Sequence, residues 1–453
     1  MFLFLKSRVH PSARQIVVRV VGWLLLVCSI LAGVLGAGAA FFGAAFVVTS
    51  ILALVLLALC VAFLLTFAGV LIAARLLRRT RPGRIACLVG TATMLVLALV
   101  SSLTVFQPLP STATTRASPA IPAGVRFWNL ETGSRIAYLK VSAHGSTRVH
   151  PIIIVGGGPG EAVVAGVSQT HFFGQLARLG YDVYYYDQIG SGLSTRLPDP
   201  GQYTVARHVA DLEAIRQAIG AQQMILLGSS WGGTLVANYM ATYPRHVARA
   251  IFTSPGPIDY AEWPNPGSII SRLTPAQQQQ ANRMLYTPRF LTWYLLGLIN
   301  ARAAHSLISD QEADAFFDAF LQHVRPGTVC NPANLSDEPV LGNGFYANVF
   351  TTMDAHSRRG HVHPRARLRS NYTPALILTG ACDYISWAAT WQYKTTLPNS
   401  TLLYFPHAGH VIYLDQPDLY LATLRAFLQG MPLPLSPWTT AQPPPTRQEA
   451  AGA

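Results

Sequence analysis

A hydroxyl that could be turned into a nucleophile stands in Gly228-Ser229-Ser230-Trp231-Gly232-Gly233, between the apolar run Met224-Ile225-Leu226-Leu227 and a helical run from Thr234 to Tyr243. A Gly-x-Ser-x-Gly sequence at a strand-to-helix junction lifts the serine onto a sharp turn, where Oγ stands clear of the sheet and the glycines permit close backbone approach. Serine is a weak nucleophile until a base takes its proton, and the base needs a carboxylate to orient it. For a serine displayed in this way the partners follow in the order acid, then histidine. Asp383 in Thr379-Gly380-Ala381-Cys382-Asp383 and His410 in Pro406-His407-Ala408-Gly409-His410 supply them in that order. His407 and Asp415 are rivals for the two roles; loop position and the preceding glycine favour His410.

Attack on a carbonyl creates an oxyanion that needs donors already aimed at it. Gly156-Gly157-Gly158-Pro159-Gly160 follows a strand-like run, so one donor is expected from the Gly157 N–H and the second from Trp231, the residue after the nucleophile. A nucleotide loop fits less well, because Pro159 lacks an N–H and the spacing is not Gly-x-Gly-x-x-Gly. Asp187, which precedes the nucleophile in sequence, reads as a structural loop residue. No Cys/His spacing resembles a zinc site, so no metal is expected.

These groups need a scaffold. Strand-like runs at 135–141, 151–155, 182–186, 224–227, 248–253, 375–378 and 401–404 alternate with amphipathic helices, including 205–219, the pattern of a mostly parallel α/β sheet with helices on both faces. From 254 to 372 the alternation fails, and helical patterns such as 275–285 and 310–324 predict an inserted helical cap over the ligand-binding edge. The whole domain is expected at 123–431, with a disordered Pro-rich tail at 432–453 and a Pro/Ser/Thr-rich linker at 107–122.

The 453-residue chain carries a formal charge of +13, yet no Asp or Glu precedes Glu131. The early basic residues, among them Arg14, Arg19, Arg75, Arg78, Arg79, Arg81 and Arg84, flank long apolar runs and read as topology signals, not a nucleic-acid footprint. Three transmembrane helices are expected within 1–106, at 16–36, 44–74 and 85–106, with the small-residue run Gly33 to Ala40 and Gly43 as the first hairpin. The positive-inside rule then leaves everything after the third span outside a bacterial plasma membrane. In an exported domain Cys330 and Cys382 could form one disulfide.

Gly157-Gly158-Pro159-Gly160, Asp187-Gln188-x-Gly190-Ser191-Gly192-x-Ser194, Gly228-x-Ser230-Trp231-Gly232 and Gly409-His410 together resemble the proline iminopeptidase branch of the α/β-hydrolases, over roughly 126–428. The resemblance implies an α/β-hydrolase fold and release of N-terminal residues from peptides through an acyl-enzyme, without metal or cofactor. The chain departs from the family at Gly156, where histidine is usual, and at Ile189, where arginine is usual. The family holds its substrate's amine with cap glutamates; that motif has no match here, and Glu262 and Glu312 are the candidates for substrate binding, with Glu338 beside them. An esterase or lipase would use the same triad on an ester substrate. A catalytically silent membrane receptor on the same fold is the alternative of another class, and the intact triad argues against it.

Overall fold

The computed structural model describes residues 12–111, 121–164, 166–260, 262–263, 267–357 and 363–447. The chain begins with three long helices, α1 (Ala13–Ala44), α2 (Ile51–Leu76) and α3 (Pro82–Thr104). Strands β1 (Arg126–Asn129), β2 (Arg135–Val141) and β3 (Ile152–Val155) follow, then α4 (Val167–Gly174), β4 (Val183–Tyr186), α5 (Val205–Ile219), β5 (Met224–Ser229), α6 (Trp231–Thr242) and β6 (Val247–Thr253). Helices α7 (Pro275–Leu285), α8 (Pro288–Ile299), α9 (Ala301–Leu307), α10 (Asp310–Val324), α11 (Phe345–His356) and α12 (Pro364–Leu368) separate β6 from β7 (Ala375–Cys382). The remainder is α13 (Trp387–Thr396), β8 (Ser400–Gly409), α14 (Ile412–Asp415) and α15 (Pro417–Gln429).

The chain forms two compact units. One joins the residues up to Pro108 with Thr287–Ile308; the other holds Leu109–Tyr286 and Ser309–Ala453. The first unit therefore takes α8 and α9 out of the stretch 254–372 that the sequence assigned to a single cap. In it, α1–α3 are long and apolar enough to cross a membrane. The first turn falls at 45–50, after the glycine-rich run and not within it. Gly33 lies inside α1, where an added Cβ would come 2.1 Å from Thr66 Oγ1 on α2, so part of that run lets two helices pack closely.

In the second unit eight strands form one sheet in the order β1-β2-β4-β3-β5-β6-β7-β8. The β1–β2 and β2–β4 pairs are antiparallel and all others parallel. The Ile-, Val- and Leu-rich strands predicted at 151–155, 224–227 and 375–378 are β3, β5 and β7, three of the interior strands, buried along almost their whole length, as strands covered on both faces should be. Ile152, Ile154, Ile225, Leu227, Leu376 and Leu378 share one core with Phe173, Tyr185, Phe405, Tyr420 and Leu424; each side chain of this size contributes about 1.5–3 kcal/mol on burial. Residues 432–447 do not form the loose tail expected of Pro-rich sequence. Trp438 N–H donates to Leu402 O at 2.8 Å, Trp387 Nε1 donates to Ala441 O at 2.7 Å, and Arg447 is buried. Residues 448–453 and most of the linker, 112–120, lie outside the described residues.

Candidate active site

Parallel strands bring their carboxyl ends to one edge of the sheet, and register decides which loops meet there. Val155, the last residue of β3, pairs with Gly228 of β5, so the glycine loop after β3 emerges beside the turn that carries Ser230. Cys382 at the end of β7 pairs with Gly409 at the end of β8, so Asp383 and His410 leave the sheet side by side.

Ser230 joins β5 to α6 with φ +54° and ψ −123°, a conformation rarely adopted outside glycine and one that concentrates at functional sites. The turn is fastened by Ser230 N–H to Thr253 O at 3.1 Å, and Ser230 O accepts from the N–H groups of Gly233 and Gly256, both at 2.9 Å. A Cβ on Gly232 would sit 2.1 Å from Val155 O, so only glycine lets the helix start this close to β3. His410 is buried, and its Nδ1 lies 2.7 Å from Asp383 Oδ1. Asp383 also accepts from Ile385 N–H at 3.1 Å and from Thr379 Oγ1 at 3.3 Å. Burial alone would raise its carboxyl; His410, Arg447 and the Ile385 N–H together outweigh that and hold it below the usual carboxylate range.

The rivals lie elsewhere. His407 is exposed, while Asp415 accepts from the N–H groups of Cys330 and Gly409 and from Asn334 Nδ2. Asp187 ties its own loop to the one after β3, taking the N–H groups of Leu193 and of Val163 and Val164 at 2.7–2.9 Å. Trp231 opens α6 with its side chain buried, and its Nε1 donates to Gln188 Oε1 at 3.3 Å; Gln188 in turn donates to Gly156 O at 2.8 Å, tying the two loops together.

Three groups at the site went unnoticed in the sequence. The Tyr384 hydroxyl is 3.1 Å from His410 Nε2, with the two rings 4.2 Å apart between centroids. Tyr384 follows Asp383 directly, and that adjacency was the available signal. Glu161 follows the glycine loop, and its Oε2 accepts the Gly157 N–H at 2.5 Å. Its carboxyl is pushed up by burial, against the opposing pull of the Gly157 N–H and His410. Gly157 itself lies against the nucleophile, since a Cβ there would be 3.1 Å from Ser230 Cβ. Third, the Arg447 guanidinium bonds to Thr379 Oγ1, Gly380 O and Ile385 O around the acid loop; no local motif announces it. Cys330 and Cys382 form a disulfide immediately before Asp383.

Of the two glutamates singled out for substrate binding, Glu262 faces Arg365 Nη1 at 2.5 Å and Gln392 Nε2 at 2.9 Å, while Glu312 accepts Leu109 N–H at 3.0 Å. Glu262 also gathers with Asp259 and His363, their ligand atoms within 4.8 Å of one another, with the Arg365 guanidinium already supplying positive charge there.

Comparison with known proteins bears on the family of the chain. Residues 150–417 match a family model described as alpha/beta hydrolase fold. A proline iminopeptidase of Heyndrickxia coagulans is 27% identical over 306 residues, covering 66% of this chain and 97% of that protein. A proline iminopeptidase of Levilactobacillus brevis is 26% identical over 304 residues, with 64% and 92% covered. The crystal structure of the Mycobacterium smegmatis proline iminopeptidase aligns at 20% identity with a TM-score of 0.44, over 68% of this chain and 98% of that one.

Proposed function

We propose, for a chain that belongs to the α/β-hydrolase fold family, a membrane-anchored serine hydrolase that releases N-terminal residues from peptides through an acyl-enzyme. The observation that carries the reading is the buried His410–Asp383 pair, 2.7 Å apart, together with a serine held at positive φ. Ser230 Oγ attacks the scissile carbonyl while His410 Nε2 takes its proton, and Asp383 steadies the imidazolium that results. The oxyanion is received by the N–H groups of Gly157 and Trp231. His410 then protonates the departing amine, and the same base activates water to free the acyl group. Two resting contacts must yield first: the Tyr384 hydroxyl on Nε2 and the Glu161 carboxylate on the Gly157 N–H.

The peptide substrate is carried by the two iminopeptidase relatives. Glu262 and Glu312 remain the proposed contacts for the substrate's amine. Anchoring is supported by the three apolar helices, and orientation by the arginines: Arg75, Arg78, Arg79, Arg81 and Arg84 lie at the α2–α3 junction, at the same ends as Arg14 and Arg19 of α1. Basic residues mark the cytoplasmic side. A hydrolase domain on the other side would meet the oxidising conditions that suit the Cys330–Cys382 pair.

The test is chromophore release by the full chain in lipid nanodiscs, from unblocked aminoacyl substrates with proline among them, beside short and long acyl esters. Cleavage of the unblocked substrates, lost in Ser230→Ala, is the expected result. Turnover of esters alone would keep the triad and remove the aminopeptidase, and no turnover by folded protein would point to a silent receptor.

A further inference from the structure

Helices α8 and α9 interrupt the hydrolase sequence, yet they belong to the same compact unit as α1–α3. The ends of a helix leave backbone groups without partners, and this pair supplies partners at three such ends. Asn300, between α8 and α9, donates through Nδ2 to Ala45 O at the C-cap of α1 (3.0 Å). The first N–H of α2, at Ile51, donates to Ser306 Oγ (3.0 Å). Arg289 of α8 donates to Val105 O at the C-cap of α3 (3.0 Å) and to Leu307 O (2.9 Å). All three ends are on one side of the helical bundle, opposite the arginine-rich α2–α3 junction.

Seated there, α8 turns Trp293 and Leu296 inward and leaves Leu291, Tyr294, Leu295 and Leu298 between 42% and 54% exposed. Their spacing of i, i+3, i+4 and i+7 makes one continuous apolar stripe. Arg289, the one charged residue of α8, is buried by its carbonyl contacts. The neighbouring turn is apolar too: beside Ala45, Phe46 is 70% and Val47 84% exposed. The stripe is thus apolar like the exposed residues of the three long helices in the same unit. At 12 residues, about 18 Å, α8 is too short to span a hydrocarbon layer of about 30 Å, and tyrosine among leucines suits the boundary layer.

We propose that α8 is a membrane-interface helix, with Leu291, Tyr294, Leu295 and Leu298 inserted among the acyl chains of the leaflet that surrounds the α1–α2 turn. The inference rests on the membrane-anchored reading above. It makes part of the inserted region between β6 and β7 a lipid-contacting element.

The test uses the full chain with Cys28, Cys60 and Cys87 replaced by alanine and the disulfide kept. A nitroxide is placed at Leu295→Cys or Leu298→Cys, with Leu99→Cys on α3 as the lipid control and Tyr372→Cys, 72% exposed in the hydrolase unit, as the water control. In phosphatidylglycerol–phosphatidylethanolamine vesicles, power saturation compares collision with oxygen, which enriches in lipid, and with a water-soluble nickel chelate. The expected result is an oxygen-dominated response at 295 and 298 matching that at 99, against a nickel-dominated response at 372. Nickel dominance at 295 and 298 with oxygen dominance at 99 overturns the interface helix alone. Nickel dominance at 99 as well overturns the anchored reading beneath it. Protection from both agents at 295 and 298 would mean that protein covers the stripe, which also overturns the proposal.

Discussion

The two halves of the candidate triad are held in opposite ways. Around Ser230 the contacts are local or come from the strands on either side: Thr253 O receives its N–H, and Gly232 packs on the backbone of Val155. Around Asp383 the Ile385 N–H and Thr379 Oγ1 are local, and the other contacts are side chains brought in from separate segments. Cys330 is 52 residues before Cys382, Arg447 reaches back 62 to 68 residues, and His410 is 27 residues ahead. A nucleophile on a strained turn can be specified by five consecutive residues, because its geometry is a property of the backbone. A buried carboxylate needs charge and hydrogen bonds gathered from wherever the fold can supply them.

That contrast can be broken or sharpened at three positions. The largest effect is expected on the local side: Gly232→Ala places a Cβ 2.1 Å from one backbone carbonyl and 2.7 Å from another, with no flexible side chain to yield. Turnover should fall on the order of 10³-fold, the scale of a misaligned oxyanion site, and Ser230 should lose labelling by a fluorophosphonate. Normal labelling would show that the turn is less rigid than its contacts imply.

On the remote side, Arg447→Met should leave that labelling intact and lower kcat about tenfold, one hydrogen-bonded charge being worth roughly a pK unit. Asp383 has a depressed pKa in the folded protein, so its stabilising contribution is present above its unfolded value of about 3.9 and is lost as pH falls through the folded one. Removing Arg447 shrinks that contribution, and the gap in Tm between wild type and variant should be widest near neutrality and narrow below about pH 4. A gap that does not change with pH would assign Arg447 to packing alone. The smallest effect belongs to Glu161→Ala, which removes a competitor for the Gly157 N–H without removing the donor; ester turnover should rise on the order of threefold. A fall would show that Glu161 shapes the loop.

The same contrast explains what is legible in the sequence. Buried strands such as β3, β5 and β7 announce themselves as apolar runs, and α5, α7 and α10 begin and end where their periodicity does. Ser230, Asp383 and His410 each follow such a run, which is enough to place their loops at a common edge of the sheet. Strand β1 is not legible, because four residues at an antiparallel edge carry too little alternation. The glycines of α1 are legible as small residues but not as a packing face, since that depends on Thr66 and Leu65 across from them. Arg447 sits in Pro-rich sequence whose composition says disordered tail, and its order comes from Trp438 and the carbonyls it meets. Nothing in the spacing of α8 distinguishes a cap helix from one that packs with the first three; the distinction lies in Asn300, Ser306 and Arg289 finding helix ends.

The chain passes between its two units three times, at 108–109, 286–287 and 308–309. Under the anchoring proposed above, this bears on shedding. A single cut at the first passage, 108–109, would leave the hydrolase unit attached through the α8–α9 pair and its bonds to Ala45, Ile51 and Val105. Separating the two units would take further cuts at 286–287 and 308–309, so under the proposed anchoring a single-nick product would stay with the membrane fraction as two chains.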